Sequence, residues 1–251
     1  MSGPVRAFAY LNTVPFRGHH TCKCNNSRKP LAADHKRMAC RQTQRLTHHR
    51  HVVTIRHKGD ITMALYSFGL ALFFIPHFFS AMRSRAEGKD IRKSIGEAKY
   101  MGLYSAVTLL GFFAMIIGFA RAPNGETLFA APHSLHHISW VFMMPALILL
   151  ASAYMPLGHI KRAVQHPMML AVLIWAGFHL AVGGDLKRVL MFGLFFAYAA
   201  VSLICAYKRS TNLKDKPAKP MGDILAVLVG LVLTGVFMHG GHVALFGVSP
   251  V

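Results

Sequence analysis

Six long stretches of the chain carry no Asp, Glu, Lys or Arg: 61–82, 100–120, 127–160, 163–184, 189–207 and 224–251. A bilayer core about 30 Å thick is crossed by roughly 20 mostly apolar helical residues, because in hydrocarbon every backbone N–H and C=O must find its partner within the segment. Each stretch is long enough, and within the third the helix is expected over 138–155. The predicted fold class is all-α, an integral membrane bundle of about six transmembrane helices. Composition agrees: 53% of residues are hydrophobic, 15% are charged, and mean hydropathy is +0.39, a combination that soluble domains seldom show.

Charge divides the chain into two unlike parts. Residues 1–62 hold 12 Lys+Arg against Asp34 and Asp60, whereas residues 63–251 hold 16 against 7 acids. Three of the four cysteines (Cys22, Cys24, Cys40) also lie in the first part, which leaves only Cys205 in the apolar part and excludes a disulfide framework there. Residues 1–62 lack hydrophobic periodicity and are expected to be disordered or a non-native N-terminal extension, with the transmembrane domain over 63–250. The segment has few aromatics to stack bases, so no nucleic-acid partner is expected. His19, His20, Cys22 and Cys24 lack the second well-spaced pair that would complete a metal site. A transit peptide would bring more Ser and an amphipathic helix. Met63 stands directly before the first apolar run and is the expected start of the protein.

Loop charges alternate. The loops after the first, third and fifth stretches carry 6, 2 and 5 Lys+Arg, and those after the second, fourth and sixth carry 1, 2 and 0. The positive-inside rule places the first set in the cytoplasm and the start of the first span outside. A segment with 12 basic residues is poor cargo for that outer face, which again favours a start at Met63. The small-residue pairs Ala114 with Gly118 and Gly193 with Ala197 suit helix–helix contact and carry no functional signal.

With no acid or lysine inside an expected span and no nucleophile motif, chemistry rests on nine histidines: His77, His133, His136, His137, His159, His166, His179, His239 and His242. An imidazole in a membrane carries a donor and an acceptor that must both be satisfied, so it faces either a neighbouring helix or a cofactor. By depth, His77, His159 and His166 form an inner level, and His179, His239, His242 and the His133 group form an outer one. Either level could hold a metal or haem, and a haem could also join His77 to His179 across the two. Spacing leaves these alternatives open.

His133, His136 and His137 have the HxxHH spacing of membrane di-iron oxygenases, but one such box on the predicted outer side, without an HxxxH partner, does not make a di-iron centre. Gly240 and Gly241, between His239 and His242, read first as helix-end punctuation and second as a loosening that turns both side chains toward one site. Pro76 beside His77 is expected to kink the first helix and free a backbone carbonyl.

The run His166-Pro167-Met168-Met169, then Trp175, His179-Leu180, Gly184-Asp185 and Phe192-Gly193, resembles the signature region of the NnrU family of membrane proteins. Further resemblance lies in the opening apolar helix with His77 and its basic loop. Ile95-Gly96-Glu97 before Tyr100-Met101-Gly102-Leu103-Tyr104-Ser105 adds to it. It covers residues 63–250. The resemblance implies a multi-pass protein of the bacterial inner membrane linked to denitrification, through expression or activity of nitrite and nitric oxide reductases. The same domain occurs in plant zeta-carotene isomerase, a haem b enzyme that turns a cis double bond trans. That implies haem b between helices, with His77 and His179 as axial ligands to the iron and His166 as a further functional histidine. Two imidazoles make a six-coordinate iron, silent until one ligand leaves, so the implied activity is redox-gated and isomerase-like. His77, beside Pro76, is then the expected exchangeable ligand and His179 the fixed one. The implied partners are the lipid bilayer, haem and a hydrophobic small molecule.

Two other classes compete. A non-enzymatic assembly or transport factor for nitrogen-oxide metabolism would use its histidines only for packing, and haem content separates it from the first reading. A membrane methyltransferase would need an S-adenosylmethionine pocket, for which the sequence offers no motif. Ion pumping is disfavoured because no expected span carries an acid.

Overall fold

The computed structural model describes residues 59–86, 88–132, 134–209 and 213–246. The expectations for residues 1–58, including His19, His20, Cys22 and Cys24, and for His133 fall outside these.

The apolar stretches become helices. α1 (Gly59–Met82) and α3 (Glu97–Arg121) are joined by a basic loop and the short α2 (Ile91–Ile95). α4 (Ser134–His137) leads into α5 (Ser139–Tyr154), and α6 (His159–Val164) into α7 (Pro167–Val182). α8 (Leu186–Lys208) and α9 (Pro220–Val236) follow. A kink at His239 and Gly240 then breaks the last helix before α10 (His242–Phe246). Among the described residues the only extended pairing is an isolated bridge between Thr127 and Asp185.

Four helices, α1, α3, α8 and the run Pro220–Phe246, are long and apolar enough to cross a membrane, and the chain is an all-α membrane protein. The other two of the six expected spans are α5 and α7, apolar but only 16 residues each. At 1.5 Å per residue they reach about 24 Å, less than the roughly 30 Å of a bilayer core. The sequence supplies the stops. Pro156 forces Met155 into extended backbone, Pro167 opens α7 because it needs no N–H partner there, and Gly183 leaves the helix at the other end. α1 begins ahead of Met63, with Thr62 Oγ1 donating to Gly59 O at 2.9 Å, and it remains helical through Pro76.

Tyr66, Leu70 and Phe74, one helical turn apart on α1, are buried against Met115 of α3 and Ala122 just beyond its end, with Leu190, Leu194, Phe195 and Tyr198 of α8 packed around them. Lipid tails offer no hydrophobic drive for helix association, so close packing has to supply it. Gly69 lies against the backbone of Met115, Gly111 against that of Phe73 and Gly118 against that of Tyr66, each so near that a Cβ would collide. The expected pair Ala114 and Gly118 falls on this seam, whereas Gly193, from the other pair, has open space around it. On the far side, α8 packs on α7, α7 on α5 and α5 on α9, with Gly230 against Ile148. Large side chains such as Leu110, Phe113, Leu228 and Val232 point outward, as a lipid-facing exterior requires.

Polar contacts tie both ends of the bundle. At one end Tyr66 donates to Lys187 O at 2.7 Å, and Lys187 Nζ donates to Phe119 O at 3.0 Å and Ala122 O at 3.1 Å. Asp185 caps α8 by accepting from Arg188 N at 3.1 Å. The sequence reading, which began the fifth stretch at 189 and found no acid or lysine in a span, is corrected here: α8 begins at Leu186 with Lys187 in its first turn, and Lys187 and the capping Asp185 are both buried. The α3 carbonyls that end without a helical partner make this burial tolerable, because they accept the ammonium protons.

At the other end Arg209 donates to Ala81 O and Arg83 O, and Arg83 pairs with Asp90, which also caps α2 through Arg92 N at 3.0 Å. Burial pushes the Asp90 carboxyl up, but the bonds from Arg83 and Arg92 outweigh it and hold the group below its ordinary range. Asp223, from the first turn of α9, accepts from His159 N, Ile160 N and His159 Nδ1 at 2.8, 2.9 and 2.8 Å.

Candidate functional site

Each of the two expected axial ligands is fixed by its own helix. His77 Nδ1 lies 2.6 Å from Phe73 O and His179 Nδ1 lies 2.8 Å from Trp175 O, one turn back in each case. A carbonyl only accepts, so each Nδ1 donates and the lone pair stands on Nε2, the nitrogen then able to bind a metal.

Aromatic rings surround both. His77 lies 4.3 Å from Phe73, 5.4 Å from Tyr104 and 5.3 Å from Tyr198, ring centre to ring centre. His179 lies 5.1 Å from Trp175 and 4.8 Å from Phe192. The two histidines do not touch. Phe73 meets Phe195 at 5.9 Å, and Phe195 meets Trp175 at 5.4 Å, so a run of rings links one histidine to the other through the bundle. Each imidazole, held at Nδ1, could offer Nε2 to an iron, and each has aromatic rings around it. For both to reach one iron, the Phe195 and Trp175 rings between them must give way.

His179 has a second imidazole beside it. The ring of His242 stands 6.4 Å away with planes 26° apart. Its approach depends on the kink, where His239 (φ −92°, ψ 25°) and Gly240 (φ 120°, ψ −13°) leave helical geometry and redirect the chain. Gly240 is needed because φ +120° is a conformation that side-chain-bearing residues rarely adopt. The sequence reading preferred punctuation for the two glycines. The chain does break its helix at His239 and Gly240, in keeping with that reading.

His166 is apart from these. It precedes α7, thirteen residues before His179, which is about 20 Å along a helix. It lines a 280 Å³ cavity with Lys161, Gln165, Met168 and Met169, and its ring meets Tyr207 at 5.2 Å. Lys161 Nζ is engaged there by Ala153 O at 2.8 Å and Met155 O at 3.2 Å. Gln165 turns the corner at φ 60°. Of the remaining histidines, His136 and His137 end α4, near the exposed Trp140, and His159 is held by Asp223. Among the described residues no three or more His, Cys, Asp or Glu gather as a bare metal site would require.

The family model described as NnrU protein matches residues 65–250. No curated protein and no solved structure matches the chain. The matched segment takes in nearly all of α1 and everything from α2 to α10, and therefore both sides of the aromatic run between His77 and His179. Over about three quarters of its length, including every described histidine, this chain belongs to the NnrU protein family.

Proposed function

We propose that this chain is a haem-dependent protein of the bacterial inner membrane, acting in nitrogen-oxide metabolism through the expression or activity of nitrite and nitric oxide reductases. The observation that carries the reading is His179. Within the family segment it is an imidazole locked by Trp175 O, with Nε2 free and aromatic rings about it. His77 is the second ligand that the family resemblance implies, and the same locking at Phe73 O supports it. His166, which lines the cavity beside α7, is the further functional histidine that the family resemblance implies.

Bound between these helices, haem b would be held by His179 and His77 and would supply a redox-responsive iron. The chain's own residues set the conditions. Trp175 and Phe73 carbonyls hold each imidazole in one tautomer, while Phe192, Phe195 and Tyr198 exclude water. An isomerase-like activity, gated by ligand exchange at His77, is the enzymatic form of this proposal.

One observation favours the non-enzymatic assembly role instead: each ring already satisfies one nitrogen within its own helix, as a packing histidine does. Absorption spectra of the purified full chain, oxidised and dithionite-reduced, separate the two. A Soret band with b-type reduced peaks, altered in His179→Ala, is expected. A folded chain that stays colourless after expression with haem supplied would leave the assembly role.

A further inference from the structure

Arginines from three segments meet where α1 and α8 stop. Arg209, just past α8, reaches the end of α1 and donates through Nη2 to Ala81 O at 2.5 Å and Arg83 O at 3.2 Å. Arg83 pairs with Asp90 and lies over the Tyr100 ring, 5.7 Å from its centre. Arg92, in α2, donates its amide to the same Asp90 and pairs its side chain with Glu97. Arg85 stands exposed beside them and makes no hydrogen bond or ion pair with the described residues. Partial burial, then the charges of Arg209 and Arg83, push its guanidinium below its ordinary value; Asp90 opposes this and Arg92 adds to it.

Positive charge is in excess here. Among the described residues, four guanidiniums share two carboxylates, Asp90 and Glu97. An arginine stays charged in a protein, so loss of a proton does not relieve the repulsion. Donors are in excess as well. The Arg83 side chain is only 7% exposed, yet its Nε is buried without an acceptor, as is the Nε of Arg92. A buried donor without an acceptor is costly, and like charges held together by the fold create a strong local field for an anion.

Position selects the chemistry of that anion. Arg83 follows Met82, the last residue of α1, and Arg209 follows Lys208, the last of α8, so the cluster lies at the boundary of the apolar helices. The positive-inside rule puts these ends at the cytoplasmic face. Phe79 and Met82 are exposed on the last turn of α1, where an acyl chain can lie along them. Guanidinium forks match the paired oxygens of a phosphate. We propose that Arg83, Arg85 and Arg209 bind a phosphate group, supplied by an anionic phospholipid of the cytoplasmic leaflet. Basic pockets on that side of membrane helices take such headgroups. The site stands apart from the histidines and does not depend on the haem reading.

The test is native mass spectrometry of the purified full chain, released from neutral detergent micelles that hold equal amounts of phosphatidylglycerol and phosphatidylcholine. Wild type is expected to retain phosphatidylglycerol about fivefold or more over phosphatidylcholine, the effect of at least one basic residue near an anionic surface. Arg85→Gln removes no hydrogen bond within the described protein and should lose most of that preference. Lys216→Gln, at an exposed position in the loop after α8, removes the same charge and should change the preference less than about twofold. Equal losses in the two variants would reduce the site to general surface charge and overturn it, as would an Arg85→Gln chain that matches wild type. Inorganic phosphate, titrated into the chain in neutral detergent, separates the two sources of the group. Retained phosphatidylglycerol that phosphate does not displace is expected. Phosphate binding that depends on Arg85, without any lipid preference, would keep the phosphate site and overturn its lipid source.

Discussion

Tyr66 donates its hydroxyl proton to the carbonyl oxygen of Lys187 at 2.7 Å, across 121 positions of sequence. The bond closes α1 onto the first turn of α8 where Tyr66 is fully buried, so no water can replace it. Tyr66→Phe removes a buried donor from a carbonyl that α8 also engages, at a cost of about 1 kcal/mol. Reversible unfolding in mixed detergent–SDS micelles should show that loss. An unchanged midpoint would mean that the carbonyl finds another donor.

The side chain of Lys187 makes a separate prediction. Its ammonium serves Phe119 O and Ala122 O at the end of α3 and lies 4.6 Å from the centre of the Phe119 ring. Lys187→Met keeps the stem but leaves both carbonyls without their donor, an expected loss of about 1.5–3 kcal/mol for a charged donor. Lys187→Arg restores a cation and should recover part of it. Equal stability of Lys187→Met and wild type in the same assay would show that the burial of the charge cancels its bonds.

Glycines of α3 should divide by what faces them. A Cβ on Gly118 would strike the Tyr66 backbone, whereas one on Gly102 meets nothing within 4 Å. Gly118→Ala therefore has to separate α1 from α3 and is expected to lower stability by about 1–3 kcal/mol, the range of overpacked cores. Gly102→Ala should raise it by about 0.5–1 kcal/mol, since alanine is the better helix former. Equal effects from the two would remove the close-packed seam from the account.

Much of this architecture was legible beforehand, and the reason is the length and purity of the apolar runs. The expected 138–155 helix appears as Ser139–Tyr154, and the Gly118 seam was visible as small residues at close-packing spacing. Full span length was not legible for α7, because the uncharged stretch 163–184 does not reveal that Pro167 opens the helix and Gly183 closes it. Lys187 looked like a loop charge, since its partners, Phe119 O and Ala122 O, are backbone atoms with no sequence signature. At the candidate site, His77 and His179 could be singled out as intramembrane imidazoles. Their separation by Phe195 and Trp175, and the arrival of His242, depend on rotations that spacing does not encode.

Acid should weaken the loop that joins α1 to α2. The Asp90 carboxyl is held below its ordinary 3.8 by Arg83 and Arg92 despite the opposing push of burial. A depressed folded value stabilises the protein fully above the unfolded value and loses that contribution as pH falls through the folded one. The difference in stability between wild type and Asp90→Asn should therefore be constant near neutrality and shrink below about pH 4. A difference that does not change with pH would assign the effect of the substitution to lost capping of α2 rather than to the ion pair.

Asp223 binds α9 to the start of α6 from 64 positions away, taking the His159 and Ile160 amides and the His159 ring together. α6 has only six residues and no cap of its own, so this distant carboxylate does the work that a neighbouring Ser or Asp does elsewhere. Asp223→Ala should cost about 1–2 kcal/mol, the upper range for a lost helix cap, with Asp223→Asn intermediate. The local consequence is more telling than the total. Amide hydrogen exchange across 158–166 should accelerate, loosening the cavity that Lys161, Gln165 and His166 line, while the middle of α7 keeps its protection. If exchange in α6 is unaltered, the helix is held instead by Lys161 on Ala153 O and Met155 O, and Lys161→Met becomes the variant that opens the cavity.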